Sequence, residues 1–153
     1  MANQTPNPAQ AELERLIGQW TMEIDFPGLD PIESGAIVTF EWSPGGWFLV
    51  ERWEIPVPEF PNGTAVIGWD EGRQMVLQHY FDSRGVARVY EMSVTDRVWT
   101  LTRSEPDFSP LDFAQRYIGE FSDDGRTITG RWEAKHPGKD WEVDFHLTYR
   151  KRD

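Results

Sequence analysis

The stretch YIGEFSDDGRTITGRWEAKHPGKDWEVDFHLTYR, residues 117–150, carries two turns between three alternating segments. With Asp124-Gly125 as a two-residue turn, Phe121 opposes Ile128, Gly119 opposes Gly130 and Tyr117 opposes Trp132. With Pro137-Gly138 as the next turn, Trp132 opposes Val143, Gly130 opposes Phe145 and Ile128 opposes Leu147. One apolar face then continues across three strands, while Arg131, Glu133, Asp144 and His146 share the other. A slip of one residue would reverse every side chain, so agreement across two turns marks an antiparallel meander with one buried side.

Outward from that segment, runs near 19–26, 33–43, 46–56, 63–70, 73–82, 86–94, 97–104, 112–122, 126–135 and 139–150 are rich in β-branched and aromatic residues. Gly, Pro, Asp and Asn clusters separate them. Ahead of them, Ala9, Leu13, Leu16 and Ile17 fall on one face of a short helix over Pro8 to Ile17. Asn7 is its cap, Gln10 completes a capping-box-like pair and Gly18 ends it. The expectation is one all-β domain over 1–153, a ten-stranded antiparallel up-and-down barrel. Connections after even strands are tight, whereas the odd set includes the proline-rich 27–31, 56–61 and 106–110. Such loops surround binding mouths, and the helix would plug the other, closed end.

Bulk composition narrows the function. Eight Trp, nine Phe and four Tyr suit a strand-built wall. A formal charge of −11 offers no cationic footprint for nucleic acid or for an anionic membrane. With no cysteine, disulfides, thiolate metal sites and cysteine nucleophiles are excluded. Met1 to Gln10 lacks a basic then apolar leader, so a cytoplasmic location is the expectation. Asn3-Gln4-Thr5 and Asn62-Gly63-Thr64 match the glycosylation sequon, but without secretion they carry no chemistry, and Asn62-Gly63 reads as a turn. No G-x-S-x-G elbow, phosphate loop, G-x-G-x-x-G or H-E-x-x-H occurs. The chain holds three histidines; His79 and Asp82 fall on opposite faces of one strand and His136 sits in a turn, so no metal site is expected.

Gly18-Gln19-Trp20 behind the helix resembles the G-x-W signature of the calycins, whose Trp packs near a late basic residue; Arg150 and Arg152 are available for that role. The phrases Tyr80-Phe81-Asp82-Ser83-Arg84-Gly85 and Ile128-Thr129-Gly130-Arg131-Trp132-Glu133 are similar to a bacterial group of uncharacterised lipocalin-like domains. More distantly, His146-Leu147-Thr148-Tyr149-Arg150 resembles the segment that carries the proximal histidine of the haem-binding nitrobindins. That resemblance implies a haem cofactor, but parity places His146 on the outer, charged face.

Either a two- or a four-residue loop around Asp82-Ser83-Arg84-Gly85 opposes Phe81 to Val86, His79 to Arg88, Leu77 to Tyr90 and Met75 to Met92, all pointing inward. Polar residues sent into an apolar wall need partners. Here they are His79, Arg88, Tyr90, Arg103, Gln115 and Tyr117, with Trp132 beside them, over a dry floor of Trp20, Met92, Trp99, Phe121 and Leu147. Both faces of 46–56 carry large apolar groups, so its register stays open; Arg52 and Glu54 join the inward set in one of the two. Arg88 and Arg103 suit an anionic or carbonyl head group, or else pair with Glu54, Glu120 or the chain itself. The leading expectation is a barrel that binds a small hydrophobic or amphipathic molecule, with no cofactor. The alternative is a cofactor-free isomerase or cyclase using His79, Arg88 or Tyr90 for acid–base help; haem binding is the third. Trp69, with Trp47 and Trp53 in one register, would form an outer aromatic strip suited to a homodimer.

Overall fold

The computed structural model describes residues 7–153, the side chains of Glu33 and Ser34 apart. The Asn3 sequon and the first part of the Met1–Gln10 segment lie outside the described residues. Ten strands follow one another around a closed barrel: β1 (Gly18–Asp25), β2 (Ile32–Trp42), β3 (Leu49–Glu54), β4 (Gly63–Asp70), β5 (Met75–Asp82), β6 (Ala87–Thr95), β7 (Val98–Arg103), β8 (Ala114–Phe121), β9 (Thr127–Lys135) and β10 (Glu142–Lys151). Every neighbouring pair is antiparallel, and β10 closes on β1 from Trp20↔Lys151 to Asp25↔His146. Closure leaves no strand edge unpaired. No helix of the described residues is long and apolar enough to cross a membrane.

The closed end is plugged as expected, by a shorter helix. α1 covers Pro8–Ala11, with the Asn7 side chain accepting from the Ala9 amide at 2.9 Å, and continues as a 3₁₀ turn over Glu12–Leu16. Leu13 and Leu16 are fully buried. Gln10 forms no capping box. It is buried and ties the β2–β3 turn to β4 instead, donating to the Trp47 carbonyl and accepting from the Trp69 amide at 3.2 Å. The Trp20 indole donates to the Leu16 carbonyl at 2.9 Å, and the ammonium over its ring, at 5.4 Å, belongs to Lys151. Lys151 is Trp20's register partner, whereas Arg150 and Arg152 turn to Glu23 and Gln19.

Registers decide what faces inward; two differ from expectation, and the one left open is settled. β8 and β9 pair as the Asp124-Gly125 turn requires. β10 is displaced by two residues, so Phe145, Leu147 and Tyr149 oppose Trp132, Gly130 and Ile128. The register shifts between Val143 and Phe145; this bulge leaves Val143 exposed and sends Asp144 to the barrel mouth. β5 is flipped against β6, with Gln78 opposing Tyr90 and Tyr80 opposing Arg88. The cause is a three-residue loop: Gly85 takes φ +83°, the Asp82 amide donates to the Val86 carbonyl, and the Asp82 carboxylate caps the Arg84 amide. An odd loop reverses parity where an even one keeps it. β3 settles with Leu49, Glu51 and Trp53 inward, leaving Arg52 exposed in an ion pair with Glu41 at 2.6 Å.

Trp69 shares a face with the fully buried Ala65 and Ile67, and Trp53 lines the interior. The outer strip of Trp69, Trp47 and Trp53 is therefore not formed. The closed half is filled by Trp20, Met92, Trp99, Phe121 and Leu147. Gly119 and Gly130 lie directly under the Tyr117 ring; a Cβ on Gly119 would meet its hydroxyl at 2.5 Å and one on Gly130 would collide with it. Glycine is needed at both positions for the phenol to pack.

Candidate functional site

Between the filled floor and the long loops lies a cavity of about 400 Å³, within the range of small-molecule sites. Its walls are chiefly aromatic: Trp53, Tyr80, Tyr90, Trp99, Tyr117 and Trp132, with Phe26, Phe60, Phe113 and Phe145 nearer the mouth. Ring contacts brace this wall, Trp53 on Tyr80 at 5.3 Å, Tyr90 against Trp132 at 5.6 Å and Trp99 against Tyr117 at 4.8 Å.

One polar cluster sits on the upper wall. Arg88 donates to the Gln115 Oε1 at 2.7 Å, and the Tyr90 hydroxyl donates to the same oxygen at 3.1 Å. The guanidinium lies 5.6 Å from the Phe113 ring centre, a cation–π contact. Arg88 is half-buried and makes no ion pair among the described residues. Burial pushes the Tyr90 phenol up, and Arg88 partly offsets this. At the rim, the Tyr80 hydroxyl donates to Asp82 at 2.6 Å. Burial would raise the Asp82 carboxyl, but hydrogen bonds from Arg84 and Tyr80 hold it at about 2.

Arg103 is buried at 3% exposure but does not line the cavity. Its guanidinium grips Asp107 through Nε at 2.8 Å and Nη2 at 2.9 Å, and Asp107 also accepts from the Val89 amide at 2.8 Å. The partner thus comes from the β7–β8 loop rather than from Glu54 or Glu120. Arg103 straps that loop down and has no fork left for a ligand. His79 also leaves the set: the flipped β5 turns it outward, half-buried opposite Val66 and Val89. Arg52 is out for the reason given above. Arg88, Tyr90, Gln115, Tyr117 and Trp132 remain together in the cavity.

A second polar cluster adds Glu51 and Gln78, which were not expected inside, to Tyr117 and Trp99, which were. Glu51 is 8% exposed, lines the cavity and makes no hydrogen bond or ion pair with another described residue. Burial alone pushes its carboxyl up to about 8. In the same cavity, the Gln78 Oε1, Trp99 Nε1 and Tyr117 hydroxyl are buried without hydrogen-bond partners among the described residues. Burial raises the Tyr117 and Tyr149 phenols, and the Glu51 charge adds to both shifts. One signal could have found Glu51: of the two faces of β3, one carries Arg52 and Glu54 and the other a single charge, and burying one is less costly than burying two.

Haem does not fit this donor set. His146 and His136 are exposed and His79 faces outward, so no imidazole lines the cavity. Among the described residues, no three His, Asp or Glu side chains are gathered around a metal-sized point.

By sequence, the chain matches no protein-family model and no curated protein. By structure it is similar to the crystal structure of Rv2717c from M. tuberculosis, at 16% identity and a TM-score of 0.61, over 97% of this chain and 100% of that one. The two chains share a fold, a closed ten-stranded antiparallel up-and-down barrel with a short N-terminal helix.

Proposed function

We propose that this barrel binds a small amphipathic molecule whose apolar body lies against the aromatic wall and whose anionic end meets Arg88. The observation that carries this reading is Arg88 itself, a guanidinium on the cavity wall held by Gln115 and Phe113 and paired with no carboxylate. A half-buried guanidinium on the cavity wall, held in place but left without a carboxylate, favours an anion from outside. Membership of the calycins and a cytoplasmic location belong to the same proposal, the former supported by Trp20 lying under a late cation at the closed end.

Titration with decanoate, followed by tryptophan fluorescence, should give saturable one-to-one binding. Arg88→Met should weaken it by roughly tenfold or more, the worth of a hydrogen bond to a charged group, while binding of decanol changes little. No saturation, or equal affinity in Arg88→Met, would sink the proposal.

A cofactor-free isomerase is the second reading, favoured by Glu51 rather than by His79. A protonated carboxyl in an apolar cavity can give its proton to a substrate double bond and take one back from the neighbouring carbon of the resulting cation. The products are an isomer and the original acid. Solvent deuterium should then enter a branched polyene alcohol in the wild type and not in Glu51→Gln; equal incorporation in both excludes the step.

A further inference from the structure

We infer that the cavity floor is a second recognition subsite, built for an uncharged group that both donates and accepts hydrogen bonds, an alcohol or a carboxamide. The ligand is then polar at both ends, with its anionic end at Arg88 and its neutral end at Glu51. This inference rests on the binding reading above and specifies its ligand class.

Four side chains from four strands converge on the floor: Glu51 of β3, Gln78 of β5, Trp99 of β7 and Tyr117 of β8 all line the same cavity. They are 8%, 3%, 1% and 0% exposed. Three present a buried polar atom, and neither these nor Glu51 has a hydrogen-bond partner among the described residues. Buried polar groups are nearly always satisfied, and leaving one unpaired costs about 1–3 kcal/mol. Four within one cavity, above a core that is otherwise apolar, describe an absent partner better than a packing accident.

The atom types say what that partner is. The Trp99 Nε1 can only donate, so the ligand must accept; the Gln78 Oε1 can only accept, so the ligand must donate. The Tyr117 hydroxyl serves either way, and the Glu51 carboxyl, kept protonated at neutral pH by burial, does too. A carboxylate end, which can only accept, would leave the Gln78 oxygen unserved. An ammonium would leave the Trp99 N–H unserved. A hydroxyl or a primary amide meets both demands.

The test compares decanoate, 10-hydroxydecanoate and 10-aminodecanoate on the unmodified protein at pH 7, so it does not depend on any variant folding. The expected order is 10-hydroxydecanoate at least tenfold tighter than decanoate, with 10-aminodecanoate no tighter than decanoate. In Tyr117→Phe the ratio of 10-hydroxydecanoate to decanoate affinity should shrink to about twofold. Equal binding of decanoate and 10-hydroxydecanoate overturns the floor subsite, water then satisfying those atoms, and leaves the cavity proposal standing. Tightest binding by 10-aminodecanoate also overturns it, making the floor a cation site. Binding of none of the three overturns the cavity proposal and this inference together.

Discussion

Arg103→Ala should destabilise the protein by about 3 kcal/mol or more, close to what removing one partner of a buried ion pair costs. Both side chains of the pair are nearly sealed, at 3% and 4% exposure, and no other cation replaces Arg103 at Asp107. Asp107 would keep its hydrogen bonds from the Val89 and Ser109 amides but lose the charge that holds its carboxyl well below the usual carboxylate range. Because the pair fastens the β7–β8 loop to the end of β6, the same change should loosen one side of the mouth. Arg52→Ala is the contrast. Its pair with Glu41 is just as short at 2.6 Å but 56% and 59% exposed, and such pairs are worth little. Urea unfolding of the two variants separates burial from mere proximity. A loss below about 1 kcal/mol in Arg103→Ala would show that the strap does not hold the fold.

Arg103 also illustrates how far the sequence carries. Its inward face follows from strand parity, but its partner lies in an irregular loop, where no periodicity says that Asp107 turns back over the barrel. Elements fixed by repeated alternation were legible: ten strands in meander order, the plugging helix, the β8–β9 register and the inward face of β6. The misplacements have one physical root, the local chemistry of turns. Gly85 adopting φ +83° makes an odd loop and turns His79 out while bringing Gln78 and Tyr80 in. The bulge before Phe145 exchanges Val143 for Asp144 at the mouth. Neither departure changes the hydrophobic pattern enough to be seen in it. As a result, the upper cluster of Arg88, Tyr90 and Gln115 could be named in advance, whereas of the floor cluster only Tyr117 and Trp99 could be placed inside. Two of its four members sit on β3 and β5, the strands whose parity was undecided or reversed.

Stability should fall as pH rises from about 5 to about 8, and Glu51→Gln should abolish most of that fall. The unfolded chain releases this proton near 4.5, whereas burial holds it in the folded state up to about 8. Between those values the folded state binds more protons than the unfolded one, so the slope of unfolding free energy with pH is negative, approaching 1.4 kcal/mol per unit. Across the window this sums to something on the order of 4 kcal/mol; the contribution is fully present below 4.5 and lost once pH passes 8. The groups facing Glu51 do not confuse the measurement. Tyr117 and Tyr149 are both pushed up from the ordinary phenol range and stay neutral throughout. The strongly depressed carboxyls, Asp82 and Asp107, lose their contributions as pH falls toward their folded-state values, outside the window. Other titrating groups are common to both proteins and cancel in the difference. Urea midpoints at pH 5, 7 and 8.5 should therefore diverge, with the variant similar to wild type at pH 5 and more stable by several kcal/mol at pH 8.5. Parallel curves would mean that Glu51 is solvated through the cavity and ionises like a surface carboxyl. The neutral donor on which the floor subsite depends would then be absent at physiological pH. Divergent curves would mean that the protein tolerates, in its aromatic cavity, an acid whose burial the described side chains do nothing to relieve.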